Sequence, residues 1–323
     1  MPAIKTSRIG NAEQELCVIT PESALNSNKI SLLTFLDDNL ERIYQDLYKY
    51  GGILFRDFDL INQEDFLQIT SVFSKHNSFD YKDGNSPRTN LGNNVFTSTE
   101  YPKEYNITLH NELSYSSKYP KIISFFCETP AESGGETPVL DGRKFLSKLS
   151  SEIVEKFRSH GVRYSRFLSG KKGLGKTWME TFETQDKDQI ELFCEKNNIE
   201  YSWIGDNLYL CQHGVGILKH PTTSEWVWFN QANQFHPSSL PEDIYKMLKL
   251  IHREQPDKYP QFATFGNGEQ IPEEYLHEIT KTSFESSLSF KWQKGDLLIL
   301  DNIIMAHGRR AYSGVRKILV TMC

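Results

Sequence analysis

The chain is poor in cysteine, and the cysteines it has are scattered. Five stand among 323 residues, at Cys17, Cys127, Cys194, Cys211 and Cys323, with no C-x-x-C pair. An odd, dispersed set argues against a disulfide framework or structural zinc site and for reduced thiols. Long apolar runs are also missing: no stretch approaches the ~20 residues that cross a bilayer. Residues 1–8 carry no hydrophobic signal core. Positive charge is not in excess. There are 36 Lys and Arg against 42 Asp and Glu, a net charge of −6, which speaks against a general nucleic-acid-binding surface. Internal repeats, low-complexity linkers and an interdomain break are absent as well. These absences lead to the expectation of a cytoplasmic protein that engages neither membrane nor nucleic acid.

What is there fits one globular domain over residues 1–323. Hydrophobic residues make up 38% and aromatics 12%, the latter rich in Phe and Tyr, which suits strands and an aromatic-lined pocket. Residues 1–28 read as a polar, irregular arm over the surface. Apolar residues at helical spacing predict helices over 36–49, 64–75, 241–252 and 272–283, and a helical stretch over 143–159. Gly51-Gly52 ends the first. Short apolar runs predict strands over 53–58, 107–110, 122–127, 137–140, 208–211, 214–219, 225–229, 289–292, 296–300 and 316–322. Residues 76–108 form a long polar stretch of the kind that is often functional. Residues 165–205 read as a polar lid insertion. They contain Gly170-Lys-Lys-Gly-Leu-Gly-Lys176, which lacks the framing and spacing of a phosphate loop. Many short strands with inserted helices predict a mainly β fold of the double-stranded β-helix, or jelly-roll, type.

The chemistry concentrates in His110-Asn-Glu112 and in His307 near the end of the chain. In an extended segment, residues i and i+2 point the same way. His110 and Glu112 can then converge on one ion while Asn111 faces away, and His307 must arrive on a distant strand. Two imidazoles and a carboxylate on one face of an iron ion leave its other positions open for a substrate acid and oxygen. A lone His-x-Glu is more often an exposed strand or an ion pair, so the surrounding sequence decides. After Glu112 come Pro120-Lys-Ile-Ile-Ser-Phe-Phe-Cys-Glu-Thr-Pro and Gly134-Gly-Glu-Thr-Pro-Val-Leu-Asp141. Around His307 run Trp292-Gln-Lys-Gly-Asp-Leu-Leu-Ile-Leu-Asp-Asn302 and Ala306-His-Gly-Arg-Arg-Ala-Tyr-Ser-Gly-Val-Arg316.

This set, from about Gly51 to the C-terminus, resembles the taurine dioxygenase and clavaminate synthase family of iron(II)/2-oxoglutarate-dependent oxygenases. Its nearest likeness is to the branch acting on amino acids in nonribosomal peptide pathways. The resemblance implies a jelly roll, with His110, Glu112 and His307 as iron ligands and 2-oxoglutarate and molecular oxygen as cosubstrates. It implies an Arg on the last strand for the far carboxylate of 2-oxoglutarate. Arg316 is the best match; alternation puts it and Lys317 on opposite faces, so only one of the two can face the pocket. Thr137 matches the position whose hydroxyl touches the same carboxylate. Glu112 argues against halogenation, which needs that coordination position vacant.

The implied reaction is decarboxylation of 2-oxoglutarate to succinate coupled to hydroxylation of an unactivated C–H bond. The substrate is expected to be amino-acid-like, either free or attached to a peptidyl carrier protein. The same residues could support desaturation, epoxidation or cyclisation, and a non-catalytic jelly-roll binding protein is the contrasting reading. Asn106, Ser114, Tyr115, Asn230 and Arg310 are candidate substrate contacts, each equally readable as an ordinary strand, turn or hairpin residue. Arg309 shares the reading given to Arg310. His213 and His220 read as structural histidines. Asp301 and Asn302 are expected to shape the turn before His307 and orient a ligand. Oligomeric state stays open.

Overall fold

The computed structural model describes residues 2–74, 79, 84, 88–171, 175–253, 255 and 258–323. Lys75 and residues 172–174 of the Gly/Lys run lie outside the described residues, as do 76–78, 80–83 and 85–87 of the polar stretch 76–108.

A seven-stranded sheet carries the core. Its order is Ile4–Gly10, Glu15–Pro21, Gly52–Phe55, Leu297–Asp301, Ile122–Thr129, Lys317–Met322 and Phe96–Thr97. All neighbours are antiparallel except Cys17–Ile19, which runs parallel to Ile53–Phe55. The period-two alternation of strands splits the side chains between two faces. Ile53, Phe126, Ile299 and Leu319 pack outward against the helices Lys29–Tyr50 and Gln63–Ser74, meeting Leu36, Ile43, Leu47, Phe66, Ile69 and Phe73. Leu54, Phe125, Leu298, Leu300 and Val320 face the other way, towards the site.

A three-stranded sheet lies across that second face. Met305–Arg309 is its centre, flanked by Ile107–His110 and Val139–Asp141. A separate four-stranded sheet joins Glu200–Ile204, Asn207–Gly214, Val162–Leu168 and Gln261–Phe265. The molecule is thus mainly β with inserted helices.

Several expectations need correction. Residues 1–28 are not an irregular arm. Ile4–Gly10 and Glu15–Pro21 form an antiparallel pair, and Leu16, Cys17, Val18 and Ile19 are buried. The four consecutive apolar side chains explain this, because a strand covered on both faces needs no alternation. The stretch 165–205 is not uniformly polar loop. It holds the end of the strand Val162–Leu168, the helices Trp178–Phe182 and Lys187–Lys196, and the strand Glu200–Ile204. Trp178, Phe182, Ile190 and Cys194 sit at i, i+4 spacing and share a small core with Leu208 and Leu210. Trp178 is pinned there, its Nε1 donating to the Asp206 carbonyl at 2.9 Å.

The first helix starts at Lys29 rather than at residue 36, because Asn28 caps it by accepting from Ser31 N. The stretch 143–159 divides into Gly142–Phe145 and Ser151–His160, the second capped by Ser150. Residues 289–292 form no strand. Leu288 makes only an isolated bridge to Val139. The helix Glu242–Ile251 buries Leu248 alone, while Ile244, Met247 and Ile251 of its apolar stripe are exposed.

Phe126 ties the layers together. It is fully buried and stacks on Phe66 with ring centres 5.6 Å apart. Phe126→Ala is expected to cost about 3–5 kcal/mol, read as a lowered denaturant midpoint with an unchanged slope. A loss under about 1 kcal/mol would mean that the two layers pack independently of this contact.

Candidate metal and cosubstrate site

The antiparallel pairing of Met305–Arg309 with Ile107–His110 sets His307 directly opposite His110. Their ring centres are 4.7 Å apart. Gly308 permits this approach, since a Cβ there would lie 2.6 Å from the Ile107 carbonyl oxygen. The regular strand ends at His110, and the chain turns through Leu113 at φ 56°. Glu112 therefore reaches the same spot from a turn, and the same-face logic of an extended triplet applies only in part.

Asn302 makes that turn specific. It is fully buried. Its Oδ1 accepts from Glu112 N at 2.7 Å, and its Nδ2 donates to the carbonyls of Glu112 and Pro120 at 3.0 and 2.8 Å. Asn111 faces away, as expected, and donates to the carbonyls of Asn302 and Ile303 at 2.7 and 3.1 Å. Asp301 holds the other side of the turn by accepting from Ile303 N and Ile304 N.

The donor atoms of His110, Glu112 and His307 all lie within 4.8 Å of one another, and all three residues are buried. Both histidine Nε2 atoms approach the same carboxylate oxygen, Glu112 Oε2, at 3.9 and 4.0 Å. Burial lowers the pKa of His110, and lowers that of His307 well below its ordinary value, with the neighbouring imidazole adding to the effect at His307. Both rings are thus kept neutral, as metal ligation requires. His110 Nδ1 donates to the Thr108 carbonyl at 2.8 Å, which leaves Nε2 bare. That buried Nε2 has no hydrogen-bond partner among the described residues, nor does His307 Nδ1. An orphaned imidazole nitrogen facing a buried carboxylate and a second imidazole fits a divalent ion such as iron(II).

A cavity joins this triad to the proposed cosubstrate residues. Its walls include Ser98, Phe125, Thr137, Arg309 and Arg316. Arg316 is held there by Nε donating to the Gly135 carbonyl at 2.9 Å and Nη1 to Ser98 Oγ at 3.2 Å. Gly135, at φ 73°, gives it room: a Cβ would stand 3.0 Å from Arg316 Cδ. Burial, reinforced by Arg309, lowers the Arg316 guanidinium to about 10, still charged at neutral pH. Lys317 points outward and pairs with Glu128 at 2.5 Å. Thr137 Oγ1 accepts from Trp292 Nε1 at 3.1 Å.

The candidate substrate residues are not gathered in this cavity. Asn106 is exposed and accepts from Ala311 N. Asn230 is used up locally, donating to the Gly216 carbonyl and accepting from Ala232 N. Ser114 donates to Gln231 Oε1 at 3.2 Å. Tyr115 packs between Tyr164 and Phe235. Arg310 lies over the Phe284 ring, 4.6 Å from its centre. Arg309 does reach the cavity wall, but donates to the carbonyls of Tyr101, Pro102 and Tyr105. His220 is structural: it faces Asp301 Oδ2 at 3.1 Å and accepts from Thr222 N and Thr223 N. His213, read as having no partner ligand, stands with Glu200 and Cys211 in a second donor group, of which only Cys211 is buried.

Arg88 went unnoticed in the sequence. Its side chain is 3% exposed and lies 2.5 Å from Glu112 Oε2. The available signal was its isolation, as the one charge in Gly84-Asn-Ser-Pro-Arg-Thr-Asn-Leu-Gly-Asn-Asn-Val-Phe-Thr-Ser-Thr99.

A profile of the family described as "Taurine catabolism dioxygenase TauD, TfdA family" matches residues 19–322. The chain belongs to that family. Dapdiamide synthesis protein DdaC of Enterobacter agglomerans is 35% identical over 279 residues, covering 85% of this chain and 83% of the relative. Clavaminate synthase-like protein At3g21360 of Arabidopsis thaliana is 28% identical over 319 residues, covering 95% and 92%. Two solved structures share the fold. One is PvcB of Pseudomonas aeruginosa, at TM-score 0.56, 13% identity and coverage of 99% and 90%. The other is a taurine dioxygenase from Burkholderia xenovorans, at TM-score 0.56, 14% identity and coverage of 99% and 89%. The chain is an oxygenase that uses iron(II), 2-oxoglutarate and molecular oxygen.

The Asn302 clamp generates a prediction. Asn302→Ala strands the buried peptide groups of Glu112, at about 1–3 kcal/mol of stability. Iron(II) affinity is expected to fall about 10- to 100-fold. Anaerobic iron titration checks this, and unchanged affinity would remove Asn302 from any role in placing Glu112.

Proposed function

We propose that His110, Glu112 and His307 hold the iron, and that Arg316 with Thr137 receives the far carboxylate of 2-oxoglutarate. One observation carries this reading. Three donors from segments nearly two hundred residues apart in sequence converge in one buried cluster, and the cavity that opens on its two histidines ends at Arg316. Iron(II), when bound, supplies the site for 2-oxoglutarate decarboxylation and oxygen activation. The protein's own residues orient and exclude. Arg316 offers a charge-assisted pair to a carboxylate, and Phe125 and Trp292 keep that end dry. Glu112 fills the position that a halide would need, which supports hydroxylation over halogenation.

The substrate in this reading is a small amino-acid-like molecule with an unactivated C–H bond, oxidised in a secondary-metabolic route such as antibiotic biosynthesis. The identity with a protein of dapdiamide synthesis supports the pathway class. The seven-stranded and three-stranded sheets, facing each other across Phe125 and His307, support a double-stranded β-helix as the framework. Five free, buried cysteines favour a cytoplasmic setting.

Adding iron(II) and 2-oxoglutarate in the absence of oxygen is expected to give a weak visible charge-transfer band, absent in His110→Ala and His307→Ala. A wild-type chain without the band overturns the assignment of the site. In the same assay Arg316→Ala is expected to weaken 2-oxoglutarate about 10- to 100-fold, matching roughly 1.5–3 kcal/mol for hydrogen bonds to a charged group. Lys317→Ala should change it little. The reverse ranking would place the cosubstrate cation at residue 317.

A further inference from the structure

Ser98 lines the cavity together with Thr137 and Arg316. Nothing in the sequence marks it. It follows the edge strand Phe96–Thr97, which pairs with Leu319 and Val320 of the last strand. Its own N–H donates to the Ile318 carbonyl at 2.9 Å, two residues on from Arg316. The edge strand thus delivers a hydroxyl to the guanidinium from the side opposite the Gly134–Thr137 segment, whose Gly135 carbonyl holds Arg316 Nε.

Both hydroxyls are held by groups that can only donate. Arg316 Nη1 donates to Ser98 Oγ at 3.2 Å, and Trp292 Nε1 donates to Thr137 Oγ1 at 3.1 Å. A guanidinium and an indole N–H have no lone pair to offer, so neither bond can reverse. Each oxygen is fixed as an acceptor, and each hydroxyl hydrogen is left to be spent elsewhere. Among the described residues neither hydroxyl donates to anything. Arg316 has donors to spare as well. A guanidinium carries five N–H groups, and here one goes to the Gly135 carbonyl and one to Ser98. Thr99 also lines the cavity, but no donor fixes its hydroxyl among the described residues.

This wall therefore offers donors alone. Its complement is an ionised carboxylate, which is acceptor-only and has about four lone-pair sites. A carboxylate taken out of water needs those sites filled. Arg316 can fill two as a fork and Thr137 a third. Ser98 is the donor that remains.

We propose that Ser98 is a third binding residue for the far carboxylate of 2-oxoglutarate, its hydroxyl hydrogen directed there by Arg316 as Trp292 directs that of Thr137. Arg316 then acts twice, once on the ligand and once on the hydroxyl beside it. This inference rests on the reading of Arg316 and Thr137 as the cosubstrate site and adds a residue to it.

The test uses the full chain loaded with iron(II) under argon. Binding of 2-oxoglutarate is measured by calorimetry and by titration of the charge-transfer band. Oxalate is the companion probe in the calorimeter, because it carries a metal-chelating end and no far carboxylate. Ser98→Ala is expected to weaken 2-oxoglutarate about tenfold, the lower end for a hydrogen bond to a charged group, and to leave oxalate within about twofold of the wild-type chain. Ser98→Thr keeps the hydroxyl and is expected to bind 2-oxoglutarate nearly as the wild-type chain does. Ser98→Val has the shape of Ser98→Thr without the O–H and should behave as Ser98→Ala.

A Ser98→Ala chain that binds 2-oxoglutarate as tightly as the wild type overturns the proposal. So does a Ser98→Thr chain no better than Ser98→Val, because shape and not the hydroxyl would then decide. Equal losses of oxalate and 2-oxoglutarate overturn it too, since the damage would lie at the metal. Ser98 is half-buried, and Ser98→Ala deletes a single oxygen; if Ser98→Val fails to fold, Ser98→Ala against Ser98→Thr gives the same reading. A wild-type chain without the charge-transfer band, or an Arg316→Ala chain that binds 2-oxoglutarate normally, would sink the underlying cosubstrate site, and neither result follows from a failure at Ser98 alone.

Discussion

The pairing of Met305–Arg309 with Ile107–His110 is the constraint on which the site depends. Side chains on a strand alternate, so a slip of one residue would turn His307 away from His110 and place Ala306 or Gly308 in its position. Three features hold the register. Asp301 closes the turn that precedes the strand. Val139–Asp141 pairs with the other edge, opposite Met305–His307. The bulge between His307 and Arg309, allowed by Gly308, lets the strand depart from the ladder only after the histidine has been set. Asn302 then connects this strand's turn to the backbone of Glu112. One short stretch, residues 301–308, thereby positions all three candidate ligands, although two of them are not in it.

Charge is the second constraint. A buried carboxylate, the guanidiniums of Arg88, Arg309 and Arg316 and two imidazoles share a small volume. Part of the cost is offset by backbone carbonyls, which absorb most of Arg309 and one arm of Arg316. Desolvation settles the imidazoles by keeping them neutral. Arg88 meets the Glu112 carboxylate directly. A 2-oxoglutarate that binds the folded state alone shifts the folding equilibrium towards it.

Much of this was legible in the sequence, and the parts that were not share a cause. The triplet His110-Asn-Glu112 and the distant His307 stand out in the sequence only together with the motifs around them, because a lone His-x-Glu is common. Arg316 was chosen over Lys317 on the family resemblance, since alternation says only that one of the two can face the pocket; Arg316 in fact stands just before the strand Lys317–Met322. The strand Glu15–Pro21 was missed because its apolar residues are consecutive, and a covered strand looks like neither an amphipathic strand nor a helix. The helices within 165–205 were missed because Trp178/Phe182 and Ile190/Cys194 are short i, i+4 pairs diluted by polar neighbours. The helix Glu242–Ile251 shows the converse: its stripe was read correctly, but periodicity says nothing about what covers it, and the described residues leave most of it exposed.

Residues that the fold brings to the site from far away are the hardest to read for a related reason. Nothing in local spacing links Arg88 to Glu112, or Lys176 to Gly84; the fold alone brings them together. Residues chosen because they flank the triplet, such as Asn106 and Ser114, were drawn into turns and strand contacts, since a chain leaving a metal ligand must first satisfy its own buried backbone. Asn106 does so for Ala311, and Asn302 does so for Glu112. Proximity in sequence to a metal ligand therefore selects for residues that hold the ligand still. Charge isolated in an otherwise neutral, long, polar segment selects for residues that meet something else. Arg88 is of the second kind: the fold carries it to Glu112 Oε2.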